Sequence, residues 1–214
     1  MDIDRIETSL RAVQADFDRI NASLDVSRDP LEDEIVSNMV AGYRYVNLLL
    51  EKNISLLQLK GLRHLLELNH IVLCGTDPYK RIDFHKHIKA TTERFYKQKG
   101  FCINDTIRWA QEHKNDSPWK RAAGVYLMHV SQPQLFIEGN HRTGALLMSS
   151  ILARNGKPPF VLSVDNAKAY FNPSSLAKKT NKDFLGKYYT LPKIKKKFAQ
   201  FLEDQADPAF FTPL

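Results

Sequence analysis

Between Val130 and Gly156 the chain reads SQPQLFIEGNHRTGALLMSSILARNG. Glu138, Gly139, Asn140, His141 and Arg142 stand directly before an apolar helical pattern, Ala145, Leu146, Met148, Ile151 and Leu152, which Gly156 ends. A tight loop opening a helix leaves the first backbone N–H groups unpaired and presents the positive end of the helix dipole. Both suit an anion. Arg142 falls in the first turn, where the dipole disfavours a cation, and a phosphate bound there would account for it. Glu138 beside a phosphate is a candidate Mg²⁺ ligand, because Mg²⁺ takes one or two carboxylates together with phosphate oxygens. The loop is not a P-loop, since no glycine-rich lysine signature of that kind is present. His141 stands in the loop itself: protonated it would bind phosphate, and neutral it would accept a proton. His129 reads as a satisfied histidine on a half-buried helix face. His85 and His87 read as surface residues rather than zinc ligands, with no third ligand near.

The elements that must position this loop are helices. Residues 3–24 carry Ile3, Ile6, Leu10, Val13, Phe17, Ile20 and Leu24 at alternating spacings of three and four, a seam that packs on this domain or, alternatively, pairs two chains. Asp29-Pro30 is expected to open a second helix, with Leu31, Ile35, Met39, Tyr43, Val46 and Leu50 on its buried face. A third is expected from Ser55 to about Leu73, apolar on nearly every side and therefore central. Gly75-Thr76-Asp77-Pro78 is a turn. Residues 79–88 alternate loosely at Ile82, Phe84 and Ile88, and are expected to form a short exposed hairpin. Helices follow near 89–99, ended by Gly100, near 104–114, and over 118–131, opened by Ser117-Pro118.

Composition bounds the rest. The chain has 214 residues and 43% hydrophobic residues, enough for one domain with a real core. No apolar run reaches the ~18 residues of a membrane span, and MDIDRIETSL is no signal peptide. Two cysteines, Cys74 and Cys102, make neither a disulfide framework nor a metal knuckle. A cytoplasmic protein is therefore expected, with no membrane partner. Net charge is +7, which favours anionic partners. The lysines at 178, 179, 182, 187, 193 and 195–197 read as a solvated face. Nucleic-acid binding is a minor alternative, since no base-stacking aromatic pattern interleaves them.

The string Leu135-Phe136-Ile137-Glu138-Gly139-Asn140-His141-Arg142-Thr143 resembles the core motif of the Fic/Doc (Fido) family, H-x-F-x-D/E-G-N-G/K-R-x-x-R and its Doc-like relative. The resemblance implies an all-α, Fic-like helical bundle with a small β-hairpin flap. Residues 1–28 would be a helical extension, 29–190 the Fic-like domain, and 191–214 a basic C-terminal helix and tail. It implies transfer of AMP or phosphate from ATP, with Mg²⁺, to a Ser, Thr or Tyr hydroxyl of a target protein. Phe136 would anchor the loop and Glu138 would hold Mg²⁺. Gly139, Asn140 and His141 would cradle a phosphate, and Arg142 would clamp it. Gln134 stands where the family has its catalytic His, so general-base help of ~10²–10⁴ should be missing. His141 replaces a loop Gly or Lys, and Ala145 replaces the distal Arg that grips a further phosphate. Doc-type members also lack that Arg and are associated with phosphate transfer from a reversed nucleotide. The family's self-inhibitory signature, S/T-x-x-x-E-G/N, is absent. Gln134 and His141 are thus the catalytic candidates of an impaired transferase. The alternatives are a non-catalytic scaffold for a nucleotide or a protein, or a basic helical nucleic-acid binder.

Overall fold

The computed structural model describes residues 1–97 and 101–211. Eleven α-helices are found among them: α1 Ile3–Ala15, α2 Phe17–Ala22, α3 Asp33–Glu51, α4 Leu62–Cys74, α5 Pro78–Asp83, α6 His85–Lys97, α7 Ile103–Glu112, α8 Pro118–Val130, α9 Asn140–Arg154, α10 Ala167–Lys179 and α11 Leu191–Asp204. No β-strand occurs among the described residues. One isolated parallel bridge joins Gln132 to Asn181. The expected helix end at Gly100 lies outside the described residues.

The all-α expectation holds, and α9 is the axis of the bundle. It packs on α8 along one side and on α3 and α4 along another. Every residue from Thr143 to Ala153 is buried. Small residues let the neighbours approach: a Cβ on Gly144 would come within 2.8 Å of the Tyr126 ring on α8. Helix α11 lies on α8 and buries Leu191, Ile194, Phe198 and Leu202 in the main core. Lys193, Lys196 and Lys197 face solvent on the other side of that amphipathic helix. Lys195 pairs with Asp116 at 3.0 Å.

Several expectations are corrected. The residues 79–88 form no hairpin: α5 and α6 cover them, with a turn at Phe84. Asp77 caps α5, its side chain accepting the Tyr79 N–H at 2.8 Å, and Pro78 opens the helix. This local start signal outweighs a loose alternation. The helix expected at Asp29-Pro30 begins at Asp33, and residues 24–32 form a non-helical strap. The helix expected from Ser55 begins at Leu62. A tight turn precedes it in which Gly61 lies so close to the Ser55 carbonyl that a Cβ would come within 1.8 Å. The N-terminal seam is broken at Asp16 into α1 and α2. Its residues Ile6, Leu10, Val13, Phe17 and Ile20 are buried by this chain itself. The seam therefore packs intramolecularly, α1 lying on α3.

Candidate functional site

The loop between α8 and α9 is held from outside by three side chains that bond its carbonyls. Lys182 Nζ donates to Ser131 O and Pro133 O, each at 2.6 Å. Arg94 donates to Gln134 O at 2.9 and 3.2 Å. Asn69, fully buried on α4, donates to Glu138 O and to Thr143 Oγ1, both at 3.0 Å. Composition gave no hint of these roles, although a buried Asn among the leucines of α4 is a polar group that needs partners.

Inside the loop, Phe136 is fully buried. It stacks on Phe95 at 5.3 Å and meets the edge of His129 at 5.0 Å. The Asn140 side chain closes the loop on itself, accepting the Phe136 N–H and donating to Phe136 O, both at 2.9 Å. Gly139 caps α9 in the left-handed region, with φ of 73°, and supplies no side-chain bond to the helix. The first intrahelical bond runs from the Thr143 N–H to Gly139 O at 2.9 Å. The N–H groups of Asn140, His141 and Arg142 precede it, as expected of a helix start.

These groups border a cleft of about 390 Å³. That lies within the ~300–1,000 Å³ range of small-molecule sites. Gln134, Glu138, Gly139, Asn140, His141 and Arg142 all line it. The far wall comes from the strap and α10, including Arg28, Leu31, Phe171 and Lys178. Glu138 is exposed on the rim. Arg142 donates to Val72 O at 2.6 Å through Nη1, so one arm of its fork is tied to α4. Burial lowers its pKa and the Glu138 charge opposes that. Gln134 donates to Val130 O at 3.0 Å, and its Oε1 is 3.5 Å from Asn140 Nδ2.

The two histidines behave differently from their sequence reading. His129 is fully buried rather than half-buried, and neither ring nitrogen has a partner. Burial first, then the Lys182 and His141 charges, push it down to about 3. His141 Nδ1 lies 2.9 Å from Tyr126 Oη, which donates to Tyr170 Oη at 3.1 Å. Tyr170 Oη in turn donates to His141 O at 3.4 Å. Read in that direction, His141 donates through Nδ1–H and keeps a lone pair on Nε2. Nε2 is buried and has no partner. Burial, aided by the Arg28 and Lys178 charges, pushes His141 down to about 3, so its ring is neutral at pH 7. Ala145 is buried beside a small apolar cavity of about 80 Å³ lined by Leu10, Leu31, Tyr43 and Phe160.

His85 is exposed on α6, its Nδ1 2.8 Å from Ile82 O. Cys74 is a buried free thiol and Cys102 a half-buried one. Among the described residues no group of three or more His, Cys, Asp or Glu could hold a metal ion by itself. No helix among them is long and apolar enough to cross a membrane.

The bundle and its loop define an all-α, Fic-like fold. The structure of Fic-1 from C. elegans matches with a TM-score of 0.50 and 19% sequence identity, over 92% of this chain. The chain spans about three fifths of that structure, 59% of its length. No protein-family model and no curated protein matches the sequence.

Proposed function

We propose that this protein binds a nucleotide through a phosphate at the N-terminus of α9, and that it is an impaired Fic-type transferase of AMP or phosphate to a protein hydroxyl. The observation that carries the reading is the opening of α9: a left-handed Gly139, unbonded leading N–H groups and Arg142, all on a 390 Å³ cleft in a Fic-like fold. The backbone N–H groups orient the phosphate and the free part of the Arg142 fork balances its charge. Glu138 fits a Mg²⁺ shared with phosphate oxygens, since it is an exposed carboxylate on the cleft. Such an ion would add charge stabilisation to the transferring group. The residue at the family's base position supplies no proton acceptor of that kind: Gln134 spends its amide on Val130 O and Asn140. That last feature also supports a second reading, a scaffold that binds without transfer.

Calorimetric titration with ATP and Mg²⁺ tests the site. Arg142→Ala should weaken binding by about 1.5–3 kcal/mol, the range for a charge-assisted hydrogen bond. Thermal unfolding of the variant separates this from loss of the tie to Val72 O. If the wild type binds no nucleotide, the reading is wrong. Radiolabelled ATP with a lysate then distinguishes slow transfer from none.

A further inference from the structure

Ala145 leaves no cation on α9 beyond Arg142 to meet a second phosphate, yet the opposite wall of the cleft holds two: Arg28 from the strap and Lys178 from the end of α10. Arg28 is built into place. Its N–H donates to Asn21 Oδ1 at 2.8 Å and its carbonyl accepts from Asn21 Nδ2 at 3.0 Å. Its Nη2 donates to Phe171 O at 3.2 Å, Ser174 Oγ at 3.3 Å and Ser175 Oγ at 2.7 Å. The guanidinium lies 5.3 Å from the Phe171 ring centroid. None of these bonds goes to a carboxylate, so the charge stays uncompensated, and Nε is buried without a partner. Lys178 is exposed and adds a mobile charge. Both charges act on the His141 ring, which places them within electrostatic reach of the α9 terminus. Beyond them the cleft runs into a groove of about 480 Å³, sharing Arg28, Asp29 and Lys178 and adding Lys179. The acids on the cleft, Asp29 and Glu138, are outnumbered by Arg28, Arg142 and Lys178.

We propose that Arg28 and Lys178 form a second phosphate subsite facing the one at α9, so that the cleft takes a ligand with two or more linked phosphates. A nucleoside di- or triphosphate has this chemistry. The strap and α10 then supply across the cleft the charge that Ala145 withholds. This inference rests on the phosphate reading of the α9 terminus.

Calorimetry with AMP, ATP and inorganic tripolyphosphate tests it on wild type, Lys178→Ala, Arg28→Ala and Arg142→Ala. Lys178→Ala should weaken ATP and tripolyphosphate about two- to tenfold, as for one partly screened charge, and change AMP less than twofold. Arg28→Ala should act the same way and more strongly. Its thermal unfolding is measured alongside, because it also fastens the strap. Lys178 is exposed, so its variant chiefly reads the charge. If both variants bind ATP as wild type does while Arg142→Ala loses AMP, the second subsite is overturned and the first stands. If they weaken AMP as much as ATP, they clamp the first phosphate and the proposal again fails. If wild type binds none of the three ligands, both subsites fall.

Discussion

A hydroxyl that attacks phosphorus must give its proton to a group able to hold it, and an amide only orients by hydrogen bonding. Gln134 fits the second description. Its Nε2–H is bonded to Val130 O, and its own carbonyl is held by Arg94. An imidazole at this position could donate one N–H to the same Val130 carbonyl and turn its other nitrogen to the cleft. Gln134→His should therefore raise any transfer from labelled ATP, by up to the ~10²–10⁴ that a general base supplies. Ordinary turnover by the wild type would contradict this and point to another base, His141 first, whose Nε2 is unpartnered. No gain although ATP binds would favour the scaffold reading. The motif residues were legible in the sequence because their types are specific. The state of His141 was not: its neutrality comes from burial first and then from the Arg28 and Lys178 charges, all supplied by elements distant in the chain.

At the scale of elements, the opening of α9 depends on one backbone conformation. Gly139 sits at φ of 73°, and a Cβ there would lie 2.9 Å from Asn69 Nδ2 and 3.2 Å from Val72 Cγ2. That amide is already committed to Glu138 O and Thr143 Oγ1, so it cannot swing aside without breaking those bonds. Gly139→Ala should cost about 1–3 kcal/mol, from the left-handed strain and the displaced Asn69. Urea unfolding measures it. A loss under about 0.5 kcal/mol would show that the loop accommodates a side chain and that its shape is not set by glycine. The buried face of α3, the Ser117-Pro118 start of α8 and the apolar period of α9 were readable locally. The non-helical strap at Arg28 and Asp29 was not, because Leu31 is held by packing on α1, α2 and α10 residues that sequence order separates.

For the molecule as a whole, two neutral histidines, His129 buried and His141 half-buried, make stability depend on pH. His129 and His141 both stand at about 3 in the folded chain, below the ~6.5 of an unfolded histidine. Between those values the unfolded chain binds protons that the folded chain does not. The stability they allow is therefore complete above pH ~6.5 and falls as the pH drops, by about 1.4 kcal/mol per unit for each histidine. The urea midpoint should be lower at pH 5 than at pH 7.5, a window that most carboxylates do not yet enter. Equal midpoints would mean that both rings are hydrated and titrate normally.

The sequence by itself determined that this chain is helical, that its apolar faces suffice for one core, and that a loop of Glu138, Gly139, Asn140 and Arg142 opens a buried helix. These follow from local preferences: periodicity, caps, and the few residue types able to meet a phosphate. Tertiary structure alone decided that the N-terminal seam folds onto its own chain and that Arg28 and Lys178 line one cleft with the α9 terminus. Each of these depends on which distant surface covers a segment. Short-range spacing carries no record of that, because the free energy of burial is gained only once the partner surface is in place.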